Sequence, residues 1–182
     1  MKTVVIGLGN PILTDDSVGI RVSRVIGDLL SQQPETAESS DTIEIKEVYA
    51  GGIRLMDAMT GYDRACIVDA MVTGRFRPGE VSEFRLEDLC STRNISCTHD
   101  TNLSTALEFG RMLGLHLPTT IKIWGIEACD VTSFGEQLTA GIEHAVPVAV
   151  SAILSALFGE LQIDAAADEN VNVSVNVEGA IP

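Results

Sequence analysis

Apolar and polar residues alternate along this chain in blocks that predict strands and helices in turn. Residues 3–9 form a short apolar run bounded by glycine, which is typical of a buried strand. Apolar residues from Val18 to Leu29 then recur at helical spacing, so a helix is predicted from Asp15 or Asp16 to about residue 30. Later blocks predict strands at residues 42–48, 81–86 and 119–126, a strand within residues 64–72 that ends at Asp69, and helices at residues 53–59, 101–113 and 139–161.

Strands that alternate with helices indicate a doubly wound α/β protein. We therefore expect a three-layer sandwich around a twisted, mostly parallel, five-stranded sheet. The strand at residues 81–86 is the exception, because too little chain precedes it for a parallel crossover. It is expected to be the one antiparallel strand.

The length of 182 residues fits one domain with a substantial core, which we expect to span residues 1–163. Residues 164–182 form an acidic tail without lysine or arginine, and we expect this tail to be mobile. Four valines of the tail alternate with other residues, so an added edge strand is the alternative.

The formal net charge of −14 argues against nucleic acid and anionic membranes as partners, because both would be repelled. No apolar stretch is expected to span a membrane, and the first residues are too short a run for a secretory signal. A cytoplasmic location is therefore the expectation.

The four cysteines, Cys66, Cys90, Cys97 and Cys129, include no Cys-x-x-Cys pair. Their spacing indicates reduced thiols in a cytoplasmic protein rather than a disulfide framework. Cys66 and Cys129 lie in or beside predicted strands, so we expect both to be buried.

The residues after the first strand carry the strongest chemical signal. A tight turn, Gly-Leu-Gly-Asn, is predicted at residues 7–10, and Asp15 and Asp16 follow it. Two adjacent carboxylates repel phosphate and attract a cation, so this glycine-rich loop is not a phosphate cradle. Gly7 and Gly9 allow backbone shapes that a Cβ atom forbids.

Three side chains follow different elements and are able to converge at one edge of the sheet. Asp16 follows the first strand, Asp69 ends the second central strand, and His99 precedes the helix at residues 101–113. Loops at strand ends that meet in space form metal or catalytic sites. These three residues are therefore the candidate site.

Each candidate also has a structural interpretation. Asp15 or Asp16 is able to cap the first helix, and Asp69 is able to accept backbone hydrogen bonds at a strand end. His99 is able to cap the next helix or lie on the surface, although Asp100 is the better candidate for that cap. Both interpretations stay open from the residues alone.

Other motifs are incomplete. The first loop lacks the third glycine of a dinucleotide fingerprint and contains Pro11, so a small dinucleotide-binding protein is only an alternative. His116 and His144 lie in no context that suggests chemistry, and we interpret both as structural.

The motifs, in this order, resemble those of the maturation endopeptidases of nickel–iron hydrogenases. The likeness covers roughly residues 3–160. It rests on Gly7-x-Gly9-Asn10 with Thr14-Asp15-Asp16 and Gly19, on Val68-Asp69-Ala70, and on His99-Asp100 with Leu103.

The resemblance implies an endopeptidase that removes a C-terminal extension from the hydrogenase large-subunit precursor once nickel has been inserted. It also implies an α/β sandwich around a five-stranded sheet with one antiparallel strand. The metal-contacting residues of the family fall on Asp16, where some members have glutamate, on Asp69 and on His99.

Two carboxylates and an imidazole, without cysteine, suit nickel, zinc or iron with open coordination positions rather than a structural zinc. We expect nickel to arrive with the precursor, no organic cofactor, and a monomeric protein. His99 must be neutral to bind a metal, so binding is expected to weaken below about pH 6.5. A non-catalytic nickel-sensing or chaperone module for the same precursor is the alternative, because it would use the same ligands.

Overall fold

A computed structural model describes residues 1–32, 41–86 and 103–159. These residues contain five strands and four α-helices, and a 3-10 helix (Asp15–Ser17) precedes the first α-helix. The strands are β1 (Lys2–Leu8), β2 (Thr42–Val48), β3 (Arg64–Met71), β4 (Val81–Arg85) and β5 (Thr120–Glu127). The α-helices are α1 (Val18–Ser31), α2 (Ile53–Met59), α3 (Leu103–Met112) and α4 (Ala140–Phe158).

The strands form one mixed sheet in the order β2-β1-β3-β5-β4. β1 pairs in parallel with β2 and β3, and β3 pairs in parallel with β5. β4 is antiparallel to β5, with Val81 opposite Ile126. The predicted fold class, including the one antiparallel strand, is confirmed.

The two central strands are buried on both faces, which explains their nearly continuous apolar sequences. Successive side chains of a strand point to opposite faces, so each strand supplies both cores. One core joins the sheet to α1 and α4 and includes Val5, Cys66, Val68, Trp124, Val22, Ile26, Ala149 and Ile153. The other joins the sheet to α2 and α3 and includes Val4, Ile6, Ile67, Ile123, Leu55, Met59, Leu103 and Leu107.

Some boundaries differ from the predicted ones. Asp69 does not end its strand, because β3 stays paired with β5 as far as Met71 opposite Glu127. The first helix begins as a 3-10 turn at Asp15 and becomes an α-helix at Val18.

The cysteine expectation holds for one residue of the two. Cys66 is buried in β3, and this burial raises the pKa of its thiol to about 11. Cys129 is exposed, so the prediction that it is buried is wrong. It follows the end of β5, where the chain has left the sheet.

Helix α4 is long and apolar enough to cross a membrane by length and composition alone, contrary to the expectation for the whole chain. A single such helix is weak evidence, because the core helix of a soluble protein meets the same criterion. Seven of its residues are buried, and they belong to the core beneath α1. The predicted tail at residues 164–182 lies outside the described residues, so its mobility stays a prediction.

Candidate functional site

The candidate site lies where the chain leaves the two central strands in opposite directions. From β1 the chain passes through α1 to β2 on one side, and from β3 it passes through β4 and α3 to β5 on the other side. α1 and α3 pack on opposite faces of the sheet. Loops diverge at such a switch point and leave a crevice at the carboxyl ends of the strands.

The loop after β1 is folded tightly enough to bring Asp16 back to the strand end. Asn10 starts the turn, since its side-chain oxygen accepts a hydrogen bond from Ile12 N at 3.2 Å and its backbone N–H donates to Asp16 O at 3.3 Å. A Cβ atom on Gly9 would lie 1.9 Å from Asp16 O, and Gly9 has a φ of +148°. Glycine is therefore required at this position.

Helix α1 lies directly on the ends of the central strands. A Cβ atom on Gly19 would lie 2.3 Å from both Leu8 O and Val68 O. Leu8 is the last residue of β1, and Val68 immediately precedes Asp69 in β3. The contact therefore places the start of α1, with Asp16 just before it, at the same edge of the sheet as Asp69.

Both acids are removed from water. Asp16 is 3% exposed and Asp69 is 1% exposed. Asp69 Oδ1 accepts a hydrogen bond from Ala70 N at 2.9 Å, so the structural interpretation of Asp69 has one contact in its favour. A buried carboxylate is costly for a fold, and such groups concentrate at functional sites.

The third candidate, His99, lies outside the described residues. Among the residues that the structure describes, no group of three His, Cys, Asp or Glu side chains is arranged to hold a metal ion. The structure thus brings Asp16 and Asp69 to one edge, and the roles of all three candidates stay predictions. His116 and His144 are exposed, and His116 Nε2 lies 3.1 Å from Asp63 Oδ1.

Asp15 does not cap the helix, so that interpretation is wrong. Its carboxylate is fully buried and binds the loop between β5 and α4. Oδ2 accepts hydrogen bonds from Cys129 N at 3.0 Å, Asp130 N at 2.8 Å and Thr139 Oγ1 at 3.0 Å, and Oδ1 accepts one from Thr139 N at 2.7 Å. Thr14 occupies the N-cap position of the 3-10 helix, and Ser17 occupies that of α1.

Sequence reasoning missed Glu127, a fourth buried carboxylate at this edge. Glu127 is 3% exposed and accepts hydrogen bonds from the backbone N–H groups of Thr73 and Gly74 and from the Thr73 hydroxyl, at 2.7–2.8 Å. These hydrogen bonds attach the segment that follows β3 to the end of β5. An acid at the end of a predicted apolar strand was the signal used for Asp69, and it applied equally to Glu127.

The fold and these acids define a doubly wound α/β protein with an acidic site at its topological switch point. Residues 3–156 match the HycI family model, hydrogenase maturation protease. The chain belongs to the hydrogenase maturation protease family, as the motifs indicated.

Two relatives show how far the sequence similarity extends. The hydrogenase 2 maturation protease of Escherichia coli (strain K12) is 27% identical over 159 residues, which are 86% of this chain and 91% of that protein. The hydrogenase expression/formation protein HupD of Rhizobium leguminosarum bv. viciae is 23% identical over 159 residues, which are 86% of this chain and 74% of that protein.

Solved structures share the fold. The hydrogenase maturating endopeptidase HybD from E. coli has a TM-score of 0.67 at 24% identity, covering 86% of this chain and 92% of that chain. The [NiFe] hydrogenase maturation protease HybD from Thermococcus kodakarensis has a TM-score of 0.64 at 23% identity, covering 86% of this chain and 99% of that chain.

Proposed function

We propose that this protein is an endopeptidase that removes a C-terminal extension from the nickel-loaded large-subunit precursor of a nickel–iron hydrogenase. The observation that carries the proposal is the family match over residues 3–156, together with two buried acids at one sheet edge. The protein is proposed to act as a cytoplasmic monomer without an organic cofactor.

Asp16, Asp69 and His99 are proposed to contact the nickel that the precursor carries. Carboxylate oxygens and imidazole nitrogen are suitable donors for nickel, and the two described acids supply such oxygens from the 3-10 helix after β1 and from β3 itself. The carboxylates also lie in a protein of net charge −14, which attracts a metal-bearing partner. Nickel bound there would polarise the scissile carbonyl.

Hydrolysis requires a base beside the attacking water. In the alternative arrangement, Asp16 or Asp69 acts as this base instead of contacting nickel: it takes a proton from water while the water oxygen bonds to the carbonyl carbon, and the proton then passes to the amine as the C–N bond breaks. Both acids are candidates for this role.

Room for a polypeptide exists beside the first acid. An open groove of about 910 Å³ lies between the loop after β1, helix α1 and the start of α4. Ser17, the residue after Asp16, lines this groove, and the buried Asp16 itself does not. An extended segment of the precursor is proposed to lie there.

Incubation with nickel-loaded precursor, followed by intact mass measurement, tests the proposal. We expect the loss of a short C-terminal peptide. An unchanged precursor mass together with a stable complex would instead support the non-catalytic nickel-sensing module.

The substitutions Asp16→Asn, Asp69→Asn and His99→Ala are each expected to abolish processing without a large change in melting temperature. Asp63→Asn is the matched control, because it removes the same charge at the opposite edge of the sheet, where Asp63 binds Lys2 N. A candidate whose variant processes precursor at the wild-type rate has no role in the reaction.

A further inference from the structure

Asp15 is a buried carboxylate that the proposed chemistry does not use. Its four hydrogen-bond donors lie 114 to 124 residues away in the chain. They come from both ends of one loop, residues 128–139, which connects β5 to α4. A single side chain therefore joins the two ends of this loop to the 3-10 helix.

Backbone contacts strengthen the same junction. Asp15 N donates to Asp130 O at 2.9 Å, and Thr14 N donates to Ser133 O at 3.0 Å. In a third bond the loop is the donor, since Gly135 N donates to Ile12 O at 3.1 Å. The segment that leads into Asp16 is thus held along its length by the β5–α4 loop.

We propose that Asp15 is a positioning residue that fixes Asp16 for peptide hydrolysis, an inference that rests on the proposed protease function. Main chain and side chain of Asp15 are both bound to the loop, so the peptide unit between Asp15 and Asp16 has little freedom to rotate. The direction of the Asp16 side chain follows from that peptide. Catalysis depends strongly on such placement, because an error of about 1 Å costs on the order of 100-fold in rate.

An ionised carboxylate suits this junction because it accepts hydrogen bonds and has no donor of its own. Four donors converge on the two oxygens of Asp15. In Asp15→Asn, the new NH₂ group would face a backbone N–H or the Thr139 hydroxyl, and the junction would loosen.

Thr139 allows a test that does not touch Asp15 itself. Its hydroxyl donates to Asp15 Oδ2, and it makes no capping hydrogen bond to α4, although Thr139 occupies the N-cap position. Thr139→Val removes this hydroxyl with little change in shape, whereas Thr139→Ser retains it. A fall in kcat in the first variant and its recovery in the second would trace the effect to one hydrogen bond.

The experiment compares kcat and KM for cleavage of nickel-loaded precursor, each variant being assayed well below its own melting temperature. We expect Asp15→Asn to lower kcat on the order of 100-fold with KM unchanged, because the buried residue does not contact substrate. Thr139→Val should lower kcat by less, and Thr139→Ser should match the wild type. The matched control is Asp63→Asn, which also replaces a carboxylate by an amide but lies at the opposite edge of the sheet, where Asp63 accepts a hydrogen bond from Lys2 N; it should keep the wild-type kcat.

Hydrogen exchange at the amides of Cys129, Asp130 and Thr139 measures the junction without any activity. We expect slow exchange in the wild type and faster exchange in Asp15→Asn. A wild-type protein that does not cleave the precursor would overturn the proposed function. A cleaving wild type whose Asp15→Asn and Thr139→Val variants retain full kcat would overturn the positioning role alone.

Discussion

The packing at Gly19 shows how one residue without a side chain determines where an acid lies. Two backbone oxygens from different strands would both be 2.3 Å from a Cβ atom there. Carbonyl oxygens of paired strands cannot turn away without breaking the sheet, so the helix itself would have to move. Asp16 would move with it.

Gly19→Ala is therefore expected to lower the free energy of unfolding by about 1–3 kcal/mol, the usual cost of an overpacked contact. It should also reduce precursor processing, because the start of α1 shifts. Urea denaturation followed by circular dichroism measures the first effect.

Gly141→Ala is the control for this prediction. Gly141 lies in α4, and a Cβ atom there would meet nothing within 4 Å. We expect a gain of roughly 0.5 kcal/mol, since alanine favours a helix over glycine. Equal stability changes in the two variants would contradict the close contact at Gly19.

The two described cysteines should differ in reactivity. Burial raises the pKa of the Cys66 thiol to about 11, so little thiolate forms at neutral pH and reagents cannot reach it. Cys129 is exposed. Alkylation of the native protein at pH 8, followed by peptide mass spectrometry, should modify Cys129 and leave Cys66 intact, and rapid labelling of Cys66 would indicate an open core.

Residue roles were harder to predict than residue positions. The adjacent pair Asp15 and Asp16 stands out in the sequence as a candidate, and both side chains are buried. Sequence did not reveal that Asp15 binds Thr139 and its neighbours, because those partners lie more than 100 residues away. The local sequence therefore favours a helix cap for Asp15, whereas in the fold its carboxylate binds the distant loop instead.

At the scale of elements, the loop between β5 and α4 is held by hydrogen bonds within the loop as well as by Asp15. The hydroxyl and backbone N–H of Ser133 and the backbone N–H of Thr132 donate hydrogen bonds to Asp130, and these lower the pKa of its carboxyl to about 2. The loop is exposed here, yet its shape is defined by these bonds.

A lowered pKa gives this loop a definite pH dependence. Since the folded value lies below the ordinary value of 3.8, the bonds stabilise the loop fully above pH 3.8, and this is lost as pH falls through about 2. The amide resonance of Ser133 should titrate with a midpoint near 2. Asp130→Asn should abolish this titration, and a midpoint near 3.8 would show that the bonds do not form in solution.

The ends of an element were predicted well where turn residues border it, and poorly where they depend on pairing with a distant strand. β2 and α2 have the predicted bounds, Thr42–Val48 and Ile53–Met59, since turn residues border them. The end of β3 depends on pairing with β5, which lies about 50 residues further along the chain. Local sequence does not contain that information, so Asp69 was placed at the strand end instead of inside the strand.

At the scale of the whole molecule, acidic side chains outnumber basic ones and give a net charge of −14. The excess carboxylates repel one another in the folded protein, and salt screens that repulsion. Raising NaCl from about 10 mM to about 200 mM, which shortens the Debye length from about 30 Å to below 10 Å, should raise the melting temperature. A fall measured by calorimetry would mean that favourable ion pairs, such as Arg24 with Glu47, outweigh the repulsion.

Fold class followed from the alternation of strands and helices, but strand order did not. The order β2-β1-β3-β5-β4 places β1 and β3 side by side, so the residues that follow β1 lie next to the carboxyl end of β3. That adjacency is the reason Asp16 and Asp69 share an edge, and no spacing in the sequence encodes it.

The seating of α1 on the strand ends has a consequence for how a partner is met. Because α1 packs directly on the carbonyl groups of Leu8 and Val68, Asp16, just before α1, is held at the strand ends and does not move outward to meet a peptide. Under the proposed function, the C-terminal extension of the precursor would therefore have to reach Asp16 where this residue already lies.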